Sequence, residues 1–321
     1  MKDDKKSFNF SAVVVISLVL AIGSLLLLAT VSDGNGRQVA GMPDPSKVRE
    51  AEVAEERMSE LEEDIKRRLP NLDGKWSIYV MDLTHENDFC INSEPMYAAS
   101  LIKLFVMESC YAHMDALMDN ARAYYGEADG AGQVSMLMEN MITLSDNESY
   151  NELVRLHSPN HSFVEGCRVV NDYIHETGYK DTNIYHTLHP SASVSETAAP
   201  DINMGNTTSA RDCGRLLERI YFGKCVSEKA SETMENLLFK QGHLDKIPAG
   251  TSHASKVGNK TGETDTDQHD VAIIYSEDMD YILCIMTEDL RCTSEDAMFN
   301  VEGMSRVVDK ALNGEAEPWQ G

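Results

Sequence analysis

The chain has 321 residues, 42% of them hydrophobic and 25% charged, enough to bury a large core in one domain of about 250 residues, or two intertwined ones, with appendages. Its 53 acidic residues against 28 basic ones give a formal charge of −25. Such a surface repels phosphate backbones, which excludes nucleic acid as a partner and otherwise reads as a solvated exterior.

From Ala12 to Val31 no charged residue occurs, and the length matches a bilayer core at helical rise. Lys2, Lys5 and Lys6 precede it, and Asp33 is the first charge after it. The pattern predicts a cytoplasmic tail over residues 1–11 and an uncleaved transmembrane signal anchor over 12–31. The rest of the chain is then expected on the extracellular side of the cell membrane. A cleaved signal peptide is the competing reading, but its apolar region is usually only about 7–15 residues long. Residues 32–45, rich in Gly, Ser, Asp and Pro, read as a linker.

Ala51, Ala54, Met58, Leu61 and Ile65 recur at helical steps, and Pro70 is expected to close that helix. Asn71-Leu72-Asp73-Gly74 supplies a turn into a strand over Trp76–Met81, with a second strand near Phe89-Cys90-Ile91. From Ser100 to about Gly223 the pattern is mainly helical, broken at Ser145-Asp146-Asn147 and at Thr177-Gly178. Residues 180–208 lack periodicity, and an aperiodic stretch of that length inside a compact body is usually functional. Val271–Tyr275 and Tyr281–Met286 read as a hairpin around a five-residue turn, Ser276–Asp280. A helix over Ser294–Leu312 follows. The order describes an α/β (α+β) body with a mainly antiparallel sheet, flanking helices and an inserted all-helical lobe.

None of the seven cysteines forms a C-x-x-C pair, so no zinc or thioredoxin-like site is indicated, and one disulfide stays open. Cys110, Cys213 and Cys284 stand in apolar runs and are expected to be buried. Neither a metal-ligand cluster nor a dinucleotide loop is present, so no cofactor is expected.

Three short motifs carry the chemistry. Ser100-Leu101-Ile102-Lys103 puts a hydroxyl and an ammonium one helical turn apart. A lysine there can act as the serine's base, because burial lowers its pKa. Ser145-Asp146-Asn147 follows at a helix break, and Lys260-Thr261-Gly262 precedes the hairpin. In this order the three resemble the S-x-x-K, S-D-N and K-T-G signature of class A β-lactamases and penicillin-binding proteins. The flanking stretches Met141–Asn151, Asn206–Ala210, Ile247–Gly250 and His269–Tyr275 resemble the same family, so the likeness covers roughly residues 47–312.

The resemblance implies a β-lactamase/transpeptidase-like catalytic domain over residues 46–314, followed by a C-terminal tail over 315–321. It implies Ser100 as the acylated nucleophile, Lys103 as its base and Ser145 as a proton relay. Asn147, Lys260 and Thr261 would bind substrate, and Gly262 leads to Glu263, whose backbone N–H would share the oxyanion with that of Ser100. The family's omega-loop glutamate, which positions the deacylating water, is replaced. Leu188-His189-Pro190 is the counterpart of its Trp-Glu-Pro, which puts His189 at the glutamate and Ser193 at the asparagine that follows it. Glu196 could serve only if the loop is rebuilt. The expected activity is that of a membrane-anchored serine hydrolase opening a β-lactam or related amide. The alternative is a D-Ala-D-Ala carboxypeptidase acting on peptidoglycan stem peptides, with a non-catalytic β-lactam sensor less favoured. The sequence leaves the oligomeric state open.

Overall fold

The computed structural model describes residues 30–32, 38–40, 44–189, 196–201 and 204–314. The chain divides into two compact units, Met1–Glu56 and Arg57–Gly321. In the first, β1 (Thr30–Ser32) pairs antiparallel with β2 (Gln38–Ala40), in the register Thr30 to Ala40. Helix α1 (Pro45–Arg68) begins in this unit and ends in the second.

The expected membrane anchor is overturned here. Among the described residues no helix is long and apolar enough to cross a membrane. Thr30 and Val31, the last two residues of the expected span, are extended and paired in a hairpin rather than helical. A segment crossing hydrocarbon as a single chain must be helical to satisfy its backbone, and β-branched Thr and Val favour the strand they adopt instead. Residues 12–29 of the span lie outside the described residues. The membrane partner, the signal anchor and the extracellular placement argued from the span fall with it.

The second unit is built on a five-stranded sheet of order β4-β3-β9-β8-β7, with every neighbouring pair antiparallel. Its strands are β3 (Lys75–Asp82), β4 (Asn87–Ile91), β7 (Ala254–Glu263), β8 (Gln268–Ser276) and β9 (Tyr281–Glu288). From Trp76 to Asp82 every residue of β3 is buried, because helices cover both faces of the sheet. Alternation splits the strand between two cores. Ile78 and Val80 pack with Met58, Leu61 and Ile65 of α1 and with Val301, Val308 and Leu312 of the last helix. Tyr79 and Met81 pack on the other side, in a cluster that runs into the helical lobe. The β8–β9 connection has four residues, one fewer than expected, because Ser276 still belongs to β8.

The lobe lies between β5 (Met96–Tyr97) and β6 (Thr207–Thr208), which pair with each other and so bring its two ends together. It contains α2 (Ile102–Ala112), α3 (Met114–Tyr125), α4 (Gly130–Thr143), α5 (Asn147–Leu156) and α6 (Phe163–Thr177). Every residue of α2 from Ile102 to Cys110 is buried, so it is the lobe's central helix, enclosed on all sides. After β6 come α7 (Ala210–Tyr221), α8 (Glu228–Leu238), the short α9 (Ile247–Gly250) and finally α10 (Ser294–Asn313). All seven cysteines are free, and Cys110, Cys213 and Cys284 are fully buried, as their apolar surroundings required.

Candidate active site

Ser100 lies in a single 3-10 turn, Ala99–Leu101, at the mouth of α2. Two non-glycine residues beside the site, Ala99 (φ 44°) and Ser145 (φ 55°), adopt left-handed backbone, which costs each about 1–2 kcal/mol. The surrounding bonds hold this strain: Ala98 N donates to Asn206 O at 2.8 Å, and Asp146 N donates to Asn140 O at 3.1 Å. Asp146 then caps α5 through Ser149 N at 2.7 Å.

The helical offset puts Lys103 Nζ 2.9 Å from Ser100 Oγ. The same nitrogen reaches Ser145 O at 2.5 Å, Ser145 Oγ at 3.2 Å and Asn147 Oδ1 at 2.7 Å. An ammonium has three protons for these four oxygens, whereas the neutral amine has a lone pair free to take the serine proton. Burial pulls the Lys103 pKa down to about 7, with Asp146 working in the other direction. Lys260, also fully buried, donates to Ser145 Oγ at 2.8 Å and to Thr261 O at 2.7 Å. Burial first, and Lys103 second, hold its pKa well below the ordinary lysine value. Ser100, Lys103, Ser145 and Lys260 therefore form one continuous polar chain.

β7 is the sheet edge that closes the site. A Cβ at Gly262 would stand 3.2 Å from Ser100 N, tighter than ordinary van der Waals contact, so a side chain there would push the strand and the serine turn apart by a few tenths of an ångström. Thr264 N donates to Asp267 O on the ladder side. By the alternation of an antiparallel pair, the preceding Glu263 N–H turns to the open edge, the side on which the serine turn lies. The resulting cleft has a volume of about 690 Å³, and Tyr97, Ser100, Asn147, His189, Asn206 and Glu263 are among the residues lining it.

The profile of the β-lactamase enzyme family matches residues 60–312. The chain belongs to this family. A β-lactamase from Sphaerobacter thermophilus DSM 20745 is 19% identical with a TM-score of 0.59, over 76% of this chain and 94% of that one. PBP-A is 19% identical with a TM-score of 0.62, over 79% and 96%. An ancestral class A β-lactamase (GNCA) is 18% identical with a TM-score of 0.62, over 78% and 99%. At such identities the likeness to these structures is one of fold. No curated protein matches the chain. Family and fold together support a hydrolase of the β-lactamase and penicillin-binding-protein superfamily.

Against the family's pattern, the loop after α6 is the point of departure. One stripe of α5, at steps of four residues, holds it. Asn147 Nδ2 donates to His189 O at 2.8 Å, and Asn151 exchanges two bonds with Leu188, at 2.7 Å and 3.2 Å. Arg155 grips Glu196 Oε2 through Nη2 at 2.7 Å and Nε at 3.0 Å. Backbone pairing of Thr187 N with Glu196 O at 3.1 Å brings the two arms of the loop together. His189 is exposed at the cleft, whereas the Glu196 carboxylate is occupied by Arg155. Ser193 lies outside the described residues.

Sequence reasoning missed the polar groups behind β7. Lys246, fully buried, donates to Glu263 Oε1 at 2.8 Å and to His269 O at 3.2 Å. Asp270, equally buried, accepts from Ile247 N at 3.0 Å and Asn259 Nδ2 at 3.0 Å. Burial pushes its carboxyl up to about 7, against the pull of Lys246. His269 Nε2 donates to Tyr97 O at 2.9 Å while Nδ1 accepts from Thr287 N at 3.1 Å, which fixes one neutral tautomer. Burial lowers its pKa to about 4. Among the described residues no group of three or more His, Cys, Asp or Glu side chains is disposed to hold a metal ion.

Proposed function

We propose that this family member is a serine hydrolase that forms an acyl-enzyme at Ser100 with a β-lactam or a related peptide amide. The observation that carries the proposal is the 2.9 Å contact of Ser100 Oγ with Lys103, a buried amine whose pKa falls to about 7. Near neutrality Lys103 takes the serine proton as Oγ attacks the carbonyl carbon. The negative oxygen that develops is met by the backbone N–H groups of Ser100 and Glu263. As the C–N bond breaks, the leaving nitrogen takes a proton from Ser145. The Ser145 hydroxyl is replenished from Lys103, which lies 3.2 Å away, while Lys260 at 2.8 Å holds the hydroxyl in line. Water then cleaves the ester, returning Ser100 and releasing the acid.

His189, at the cleft wall, is the proposed aid to that water. A second reading is favoured by Glu196, whose carboxylate is engaged by Arg155 rather than turned to the ester. It is a peptidase of the D-Ala-D-Ala type that releases β-lactam adducts slowly. Intact mass followed over time after a β-lactam pulse tests both, in wild type, Ser100→Ala and His189→Ala. An adduct that forms and decays in wild type, persists in His189→Ala and never forms in Ser100→Ala supports the hydrolase with His189 serving the water. Persistence in wild type supports the peptidase. Adduct formation in Ser100→Ala refutes the nucleophile.

A further inference from the structure

Behind the two oxyanion donors lie buried side chains that the acylation chemistry does not use. Glu263 is the last residue of β7, and its N–H faces the open edge of the sheet, so no ladder bond holds that group. Its side chain supplies an anchor instead. Lys246 has no exposed side-chain surface, and its Nζ donates to Glu263 Oε1 at 2.8 Å and to His269 O at 3.2 Å, which ties the end of β7 to β8. Asp270 fixes where Lys246 sits, accepting from Ile247 N at 3.0 Å and from Asn259 Nδ2 at 3.0 Å. On the other flank, the His269 ring donates through Nε2 to Tyr97 O at 2.9 Å, three residues before Ser100, and accepts from Thr287 N at 3.1 Å. A Cβ at Gly262, the register partner of His269, would stand 3.2 Å from both His269 Cδ2 and Ser100 N. The imidazole therefore packs where β7 meets the serine turn. His269 joins the two flanks, through its ring on the Ser100 side and through its carbonyl and Lys246 on the Glu263 side.

We propose that Lys246 and His269 are positioning residues that set the separation and direction of the Ser100 and Glu263 N–H groups, and through them the stabilisation of the tetrahedral oxyanion. The inference rests on acylation at Ser100 and adds two residues that support that reaction. An oxyanion donor works at about 2.7–3.1 Å from the charged oxygen, so a shift of a few tenths of an ångström at a strand end is enough to weaken it. Lys246 and His269 are fully buried and act on the donors rather than on the substrate. The Ser100–Lys103 contact lies within one helical turn and does not depend on them. Their loss therefore falls on the transition state and leaves both substrate binding and the proton acceptor in place.

Stopped-flow acylation by a chromogenic cephalosporin tests this, because it separates the dissociation constant of the first complex from the first-order acylation constant. Lys246→Met keeps the length of the side chain without its ammonium. It is expected to lower the acylation constant at least about tenfold, short of the 100–1,000-fold or so that loss of a whole oxyanion donor costs. The dissociation constant should move less than about threefold, and the pH inflection of acylation should stay in place. His269→Phe keeps a ring, removes both of its bonds and should show the same split. Glu263→Met cuts the ion pair from its half-exposed end, should show the same fall in the acylation constant, and decides if neither buried variant folds. In the Glu263→Met background, Lys246→Met should cost less than about threefold more, because the tether is already gone. An acylation constant within twofold of wild type in the folded single variants overturns the inference and leaves acylation at Ser100 intact. A parallel loss of binding and acylation, or a moved inflection, overturns it as well, since either marks general loosening of the site. Failure of the cephalosporin to acylate wild type overturns acylation itself, and the positioning with it.

Discussion

The rate of Ser100 acylation should follow the protonation of Lys103. Burial lowers the Lys103 pKa from 10.5 to about 7, equivalent to about 5 kcal/mol in favour of the neutral amine. An ordinary lysine would be neutral in about one molecule in three thousand at pH 7, whereas Lys103 is neutral in about half. The site thereby gains about a thousandfold in competent base without any change in the serine. The acylation rate should rise about tenfold per pH unit below pH 7 and flatten above about pH 8. Its inflection belongs to the coupled pair of Lys103 and Lys260 rather than to one residue, because the two share Ser145. The assay is a stopped-flow or quenched-flow trace of adduct formation between pH 5 and 9, with the fold checked at each pH by circular dichroism. A rate independent of pH, or one still rising at pH 9 with its inflection near 10, would refute the role given to Lys103.

Two further outcomes follow from groups outside the acylation centre. Arg155→Gln should lower stability by about 1–3 kcal/mol, because it leaves Glu148, Glu152 and Glu196 facing one another without their shared cation. It should also lengthen the life of the acyl-enzyme severalfold while changing the acylation rate less than about threefold, since it loosens the His189 loop and not the Lys103 contacts. Equal loss in both rates, seen in the same mass time course, would sink that division. His269 and His157 are buried neutral, each with its pKa lowered by burial to about 4 from 6.5. The unfolded chain therefore binds more protons between pH 6.5 and 4, so stability falls as pH drops through that window and the cost levels off below pH 4. Each histidine should account for about 3 kcal/mol by pH 4. Urea unfolding of His157→Gln at pH 7 and 4.5 should show a smaller loss on acidification than wild type, and an identical loss would count against the assignment.

The local features were legible because each rests on short-range geometry. Ser100 and Lys103 are one turn apart on any helix, and the structure adds only that the enclosed helix α2 buries the lysine. Trp76–Met81 reads as a strand, and its unbroken burial reflects helices on both faces, which only the tertiary arrangement supplies. The Asn147, Asn151 and Arg155 stripe follows four-residue steps and was open to the eye, but its partners Leu188, His189 and Glu196 lie in a loop without periodicity. Lys246 carried no signal, because its pairing with Glu263 arises where the start of α9 meets the end of β7. The error at Thr30 and Val31 has a plain cause. Hydropathy measures transfer to hydrocarbon and says nothing of whether a polar, β-branched end joins a hairpin.

The most direct measurement is peptide mapping of the adduct left by a penicillin on wild type and on Ser100→Ala. Acylation at Ser100 predicts one added mass, of the whole opened β-lactam, on the peptide that carries Ser100-Leu101-Ile102-Lys103, and none in Ser100→Ala. An adduct mapped to any other residue, or of equal yield in the two proteins, would contradict it.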